Sequence, residues 1–386
     1  MYSLRRALLS LSYCLIQISL ITSYSFPSPI DNLLYIKNSS TLFLISSSHL
    51  YQLKWSTNNQ SLLLLHRRVQ LHSTIDNAQD GVSVFVYDQL KQLLIICARS
   101  NLGRCILYDA NDITRVYLLD SNLETNYLGC LTGCYTFMSR TTNILRSALN
   151  TNRLERNGNI INSHIELGND RLSYNIKYQL ESSDKSLITS LTFLPERIIE
   201  KPNYEFIYGF DHEQYSYFVR KSSRLARLCQ SAIAMRVTYD EIPLINCQND
   251  NSSIISGAYF PLDKQENLFV TFSSHICVYS MEEIRSAFDS SKVQCQNGFG
   301  SRLDHIIDST ENRARCEKIL EQNSTIDQDQ CSWQSYRTNT YMDGLIGAQG
   351  ELIYQTDAEH VRIEFIFVDG NLLILSTNAR KIFKVR

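Results

Sequence analysis

Leu93-Leu-Ile-Ile-Cys97, Asn101-Leu-Gly103 and Cys105-Ile-Leu-Tyr108 read together as two apolar, β-branched strands around a tight turn. Four other stretches repeat the pattern. Leu42-Phe-Leu-Ile precedes His49-Leu-Tyr-Gln-Leu-Lys-Trp55, and Glu205-Phe-Ile-Tyr precedes Tyr215-Ser-Tyr-Phe-Val219 across the polar Asp211-His-Glu-Gln. Leu268-Phe-Val-Thr-Phe pairs with Ile276-Cys-Val-Tyr279, and Leu372-Leu-Ile-Leu with Lys381-Ile-Phe-Lys-Val385. The hairpins start about 51, 112, 63 and 104 residues apart. Steps of roughly 50–60 residues, or twice that, are those of a β-propeller built from four-stranded blades. Strand material between Tyr135 and Leu149 can fill the first double gap. The second holds Cys295, Cys316 and Cys331 and reads as a polar, disulfide-held insertion, about 289–345. An immunoglobulin-type array needs Cys…Trp…Cys spacing in each domain, and only Trp55 and Trp333 are present. Met281-Glu-Glu-Ile-Arg-Ser-Ala-Phe288 has one apolar face and predicts a helix of about two turns, a connector against a blade edge.

The chain has 386 residues and a net charge of −2, from 37 basic and 39 acidic side chains. Length alone allows roughly two to three domains. With 44% hydrophobic and 10% aromatic residues there is material for a large core, and the charge balance argues against a nucleic-acid partner. Arg5 and Arg6 precede a mostly apolar run, Ala7 to Thr22, that exits through small and polar residues at Ser23–Ser25. This is the pattern of a secretory signal peptide over residues 1–25, cleaved near 23–26. Ser10, Ser12, Gln17 and Ser19 interrupt the run and weaken the rival reading, an uncleaved anchor. The mature propeller then occupies 26–386.

Of eleven cysteines, Cys14 falls in the leader and ten remain, an even number suited to complete pairing outside the cytosol. None forms a CxxC pair and the histidines lack metal-ligand spacing, so neither metal nor cofactor is expected. Four glycosylation sequons, at Asn38, Asn59, Asn251 and Asn323, fit the same compartment. Ten cysteines allow about 945 pairings, although a hairpin favours Cys97 with Cys105 because it brings their Cα atoms close.

Several segments are similar to the Sema domain of plexins and semaphorins, a seven-bladed propeller of cell-guidance receptors and ligands. Leu94-Ile-Ile-Cys97 with Gly103-Arg-Cys105 resembles that family's cysteine-bearing strand pair. Arg224-Leu-Ala-Arg-Leu-Cys229 followed by Glu241-Ile-Pro-Leu-Ile-Asn-Cys247 resembles its next cysteine segment. Ile276-Cys-Val-Tyr-Ser-Met-Glu-Glu-Ile resembles a strand leading into a short helix, and Leu372 to Val385 resembles its late strand pair, with Ser376 and Arg380 at glycine positions. The cysteine order is closer to plexins. The resemblance implies the pairs Cys97–Cys105, Cys130–Cys134, Cys229–Cys331, Cys247–Cys277 and Cys295–Cys316. Family Sema domains continue into further blade material, so the chain is read as a C-terminally truncated propeller. A plexin's membrane span would lie in that missing part.

No GxSxG, HExxH or phosphate-binding glycine loop is present, and no enzyme activity is expected. Asp211-His212-Glu213 reads as turn residues and Asp327-Gln328-Asp329-Gln330 as a solvated part of the insertion, without the glycine and glutamate of a calcium loop. The basic run Lys221-Ser-Ser-Arg224-Leu-Ala-Arg227 reads either as a contact for an anionic partner or as a guarded sheet edge. Tyr204, Tyr208, Tyr215 and Tyr217 read as interface anchors or blade packing. By resemblance the function is that of the extracellular protein-binding module of a plexin-like receptor, with a semaphorin as partner and guidance signalling at the cell surface. Three alternatives stay open: a secreted semaphorin-like ligand or decoy, a hepatocyte-growth-factor-receptor-like Sema domain, and a secreted propeller hydrolase. A homodimer is a further open alternative.

Overall fold

A computed structural model describes residues 18–20, 30–36, 39–46, 48–55, 63–72, 81–99, 104–118, 135–139, 144–149, 159–167, 173–178, 190–192, 205–230, 238–248, 250, 252–262, 265–303, 315–318, 331, 341–355, 363–369, 372–377 and 381–385. After β1 (Ile18–Leu20), the first blade is β2 (Ile30–Ile36), β3 (Thr41–Ser46), β4 (His49–Trp55) and β5 (Leu63–Gln70). The second is β6 (Val82–Asp88), β7 (Leu93–Ala98), β8 (Cys105–Asp109) and β9 (Val116–Tyr117). The third is β10 (Tyr135–Met138), β11 (Leu145–Leu149), β12 (Asn159–Leu167) and β13 (Tyr174–Tyr178), with β14 (Ser190–Thr192) beside β12. The fourth is β15 (Phe206–His212), β16 (Tyr215–Arg220), β17 (Arg224–Cys229) and β18 (Asp240–Ile245). The fifth opens with β19 (Ser256–Leu262), β20 (Gln265–Thr271) and β21 (His275–Ser280). The insertion follows, with α1 (Met281–Gln296), β22 (Ser301–Arg302), β23 (Met342–Asp343) and β24 (Ala348–Gln349). Only then does β25 (Glu351–Gln355) complete the fifth blade beside β21. The sixth is β26 (Ile363–Asp369), β27 (Leu372–Thr377) and β28 (Lys381–Val385), joined by β1 at the edge of β28.

The described residues thus form six antiparallel meanders, and the chain is a β-propeller. The first strands of successive blades pack side by side in the series β2, β6, β10, β15, β19 and β26. Four of the five repeated hairpins are the second and third strands of their blades, but Glu205 to Val219 covers the first and second. That one-strand offset stretches one interval in the sequence and shortens the next. The first double gap holds the third blade and the second holds the insertion.

Second strands read as unbroken apolar runs because blades cover them on both faces: every residue of β3, β7 and β16 is buried. Phe43 and Ile45 pack with Leu94, Ile96 and Tyr108 of the second blade. Leu42 and Leu44 are also fully buried and alternate onto the opposite face, so the side of the first blade turned from the second is covered too. Phe137, Phe206 and Phe218 join the third and fourth blades. Tyr217, Leu225, Leu268, Tyr279 and Phe288 join the fourth, the fifth and α1.

Where β15 meets β10, Gly209 leaves no room for a side chain, since an added Cβ would lie 2.7 Å from the Phe137 ring. Gly209→Ala should therefore cost about 1–3 kcal/mol in urea unfolding, the usual scale of overpacking. An unchanged midpoint would show that this blade contact is loose.

The helix is twice the expected length, 16 residues. Ser280 caps it by accepting from the Glu283 amide at 3.1 Å, and Glu282 and Glu283 suit the positive end of the dipole. Beyond Phe288 the apolar pattern fades into Asp289-Ser-Ser-Lys292, but the buried face continues through Ser291 and Cys295. The Ser291 hydroxyl accepts from the Ile346 amide at 3.1 Å, so a polar contact carries the face onward. The helix ends where Gly298 turns to φ +85°, its amide bonding Cys295 O at 2.9 Å. α1 thus follows β21 directly, and its second half runs into the segment read as the insertion, about 289–345.

Ile18–Leu20 falls within the segment assigned to the leader, yet pairs with β28 in the register Ile18↔Val385. Cleavage near 23–26 and this fourth strand compete for the same residues.

Candidate partner-binding surface

The insertion leaves the fifth blade but rests on the fourth. β18 takes two parallel partners from it, Glu241 opposite Asp343 and Leu244 opposite Ala348. The adjacent acids Asp240 and Glu241 hold this seam. The Asp240 carboxylate accepts the Met342 amide at 2.9 Å, and the Glu241 carbonyl accepts the Gly344 amide at 2.7 Å. The fully buried Glu241 carboxylate accepts from Arg220 at 2.5 Å, Arg224 at 2.8 Å and the Tyr239 hydroxyl at 2.8 Å. Arg224 reaches on to Asp343 in the insertion. Gly344 is required here, because a Cβ would lie 2.9 Å from Glu241 O.

On the outer side of this seam the insertion exposes large apolar side chains. Phe299 is 68% exposed, Leu345 62% and Val293 51%. Phe299 and Leu345 lie beside the end of α1: the Phe299 amide bonds Gln294 O at 3.0 Å, and Leu345 lies over the neighbouring Gly300, 3.6 Å from where a Cβ would stand. Ile245, at the end of β18, lies over Gly347 in the same way. Isolated exposed apolar residues are ordinary, whereas a group of them on a braced platform is the form of a protein contact. Sequence reasoning passed over Phe299 and Leu345 because they lie in a polar insertion. The available signal was their framing by glycines, in Gly298-Phe-Gly300 and Gly344-Leu-Ile-Gly347.

Disulfides brace the platform. Cys295, in α1, is joined to Cys316, and Cys229, at the end of β17, is joined to Cys331 across 102 residues. Cys97 is joined to Cys105 within its hairpin, and Cys247 to Cys277 between the fourth and fifth blades. Cys130 and Cys134 lie outside the described residues, as do Asn38, Asn59, Asn251, Asn323, Tyr204 and Asp327 to Gln330.

The other sequence candidates are absorbed into the packing. Asp211, half-buried, and His212, buried, belong to β15, so the turn is only Glu213-Gln214; the apolar pairing of Phe210 with Tyr217 carries the strands further than the polar residues suggested. Asp211 pairs with Arg146 of the third blade at 3.1 Å. In the basic run, Arg224 is bound by Glu241 and Asp343, and Lys221 pairs with Glu205 at 2.9 Å. The Arg227 guanidinium stacks between Tyr215 at 4.7 Å and Phe288 at 4.2 Å. Tyr215 and Tyr217 are buried, and the Tyr208 hydroxyl accepts the Tyr259 amide at 2.8 Å. The ligand atoms of Cys247, His275 and Cys277 lie within 4.8 Å of one another, but the two sulfurs are bonded together and offer no thiolate.

Three buried groups give the stability a pH signature. Burial pushes the Asp240 carboxyl up to about 6, against the pull of Arg227, the Met342 amide and Lys292. A raised folded pKa contributes stability that is present below the unfolded value and lost as pH rises through 6. Burial lowers His212, against Glu266 and Glu213, and lowers His275, against Asp250. Their contribution has the opposite sign, present above pH 6.5 and lost as pH falls through the depressed values. Asp240→Asn should remove a compensating gain of up to about 3 kcal/mol between pH 6 and 4. The variant's urea midpoint should then fall more steeply with acid than the parent's, and parallel curves would show that Asp240 does not titrate there.

No protein-family model and no curated protein matches the chain. Among solved structures it is similar to the plexin A4 full extracellular region, at a TM-score of 0.65 and 14% identity, over 94% of this chain and 45% of that one. It is similar to Drosophila Semaphorin 1a, extracellular domains 1-2, at a TM-score of 0.51 and 12% identity, over 96% and 80% of the two chains. A chain of Drosophila Plexin A in complex with Semaphorin 1b matches at 0.51 and 11% identity, over 96% and 87%. The chain thus spans less than half the length of the plexin A4 region. At these identities the likeness establishes the fold, a β-propeller.

Proposed function

We propose that the chain is the extracellular protein-binding module of a plexin-like receptor, and that its partner is a semaphorin-type propeller. The carrying observation is the exposed Phe299, Leu345 and Val293 on a platform fixed by Glu241 and by disulfides. Rigid apolar anchors gain most on burial, because little conformational freedom is lost with them. The cysteine order, which resembles that of plexins more than that of semaphorins, supports receptor over ligand. The work is surface recognition with no covalent step. The reading includes passage through the secretory pathway, a leader at 1–25, and glycans at Asn38, Asn59, Asn251 and Asn323. The N-terminal mass of the secreted product separates cleavage near 23–26 from retention of β1.

The test is surface plasmon resonance of the secreted chain against a panel of purified semaphorin ectodomains. Phe299→Asp with Leu345→Arg should leave stability within about 0.5 kcal/mol and weaken binding by at least about 30-fold, the loss of a hot spot. Wild-type chain that binds no semaphorin, or variants that bind equally well, would overturn the assignment.

A further inference from the structure

We propose that Cys247, His275 and Cys277 form a zinc site when their disulfide is open, so that the seam between the fourth and fifth blades exchanges a bridge for a metal. His275 and Cys277 stand two apart on β21 and therefore project from one face of the strand. Cys247, just beyond β18, meets them from the neighbouring blade. The two sulfurs and an imidazole nitrogen lie within 4.8 Å of one another, with His275 and Cys277 fully buried and Cys247 half-buried. Tetrahedral zinc, with bonds of about 2.3 Å to sulfur and about 2.0 Å to nitrogen, sets its ligand atoms roughly 3–4 Å apart. The cysteine Cα atoms are 5.8 Å apart, close enough for both sulfurs to reach one ion.

The surroundings suit a metal. The Cys247 amide donates to Cys277 Sγ at 3.2 Å, a bond that strengthens once that sulfur is a thiolate. Asn246 Oδ1 lies 2.8 Å from His275 Nε2 and 3.8 Å from Cys277 Sγ, a neutral fourth donor beside both ligands on β21. Its direction is fixed, because Asn246 Nδ2 donates to Asp250 Oδ1 at 2.6 Å and to Ser252 Oγ at 3.1 Å. Outer partners of this kind hold metal ligands in place. Two thiolates with an imidazole select zinc, whereas calcium and magnesium demand oxygen ligands. The exchange is a two-electron one. A dithiol or a phosphine delivers two electrons to the bridge, the S–S bond breaks, and two protons complete two thiols. Zinc then displaces those two protons. A disulfide oxidant takes the two electrons back, the S–S bond reforms and zinc leaves. The rival role is a bridge made once and never reopened, beside an imidazole that only makes hydrogen bonds.

The secreted chain would be treated with a phosphine under nitrogen, and each thiol followed by alkylation and peptide mass mapping. An equivalent of Zn2+ should protect Cys247 and Cys277 from alkylation and leave Cys97 and Cys105 as reactive as before. Co2+ in place of zinc should give the visible bands of a tetrahedral thiolate site, which Zn2+ then removes. Asn246→Ala should weaken Zn2+ binding about tenfold, the cost of losing a partner at the edge of a metal site, and His275→Gln should weaken it further. Cys247→Ser with Cys277→Ser should abolish the bands, and thermal melts before reduction check that each variant folds. Equal protection of all the cysteines, or bands that survive either the double variant or His275→Gln, would overturn the proposal. So would binding that is as tight in urea, where the site is dispersed, or a bridge that stays closed until the chain melts.

Discussion

Replacing Glu241 with alanine is expected to cost the folded chain about 3–5 kcal/mol, the range for removing one partner of a buried ionic group. The carboxylate is fully buried and accepts from Arg220, Arg224 and the Tyr239 hydroxyl together. Its loss leaves Arg220 buried beside a second guanidinium of like charge. The seam with the insertion weakens as well, because Arg224 is also the link to Asp343. A fall in Tm of the order of 10 °C should accompany the change in urea midpoint. Exchanging Glu241 and Arg220 together for leucine and methionine should recover much of the loss, since well-packed apolar groups often replace buried ion pairs at little cost. A loss under about 1 kcal/mol for the alanine variant would mean that water reaches the seam and solvates the arginines.

Opening the Cys229–Cys331 bridge, by Cys229→Ser with Cys331→Ser, should produce a comparable loss by another route. The bridge closes a span of 102 residues, for which chain entropy gives about 4–5 kcal/mol before any offset from native strain. Cys229 is fully buried at the end of β17, while Cys331 lies in the insertion, with Sγ 3.8 Å from Gln214 O. The variant should secrete poorly and be cut in the insertion at low protease concentration, where the parent resists. If limited proteolysis gives the same fragments at the same rate for both, the β18 pairing alone fixes the insertion and the bridge is dispensable. Glu241→Ala and the bridge variant act on the same element, so their combined effect should not be additive.

Much of the architecture was legible because a propeller repeats its errors as well as its strands. Leu93–Cys97 and Leu42–Ile45 stand out as apolar runs because two blades cover them, and five such runs sufficed to set the period. Strands with weaker patterns, such as Tyr174–Tyr178, escaped, since an outer strand needs only one covered face. The length of α1 was hidden because Ser291 continues its buried face by hydrogen bonds, which hydropathy does not register. The disulfide partners came from family resemblance, since counting alone could not choose among so many pairings. The candidate surface was least legible. Phe299 and Leu345 are ordinary residues in a polar stretch until Gly300 and the end of α1 bring them together.

The position of the insertion between β21 and β25 has a consequence in time. A blade whose strands are consecutive can close as soon as it leaves the ribosome, but the fifth must wait about 70 residues, from Ser280 to Glu351, for its last strand. At synthesis rates of about 5–20 residues per second, that delay is roughly 4–14 s. Throughout it the outer edge of β21 and the insertion face of β18 both stand open, each a template for a foreign strand. The Cys247–Cys277 bridge needs only residues made before that wait, so it can tie the fourth blade to the fifth while these edges are still open.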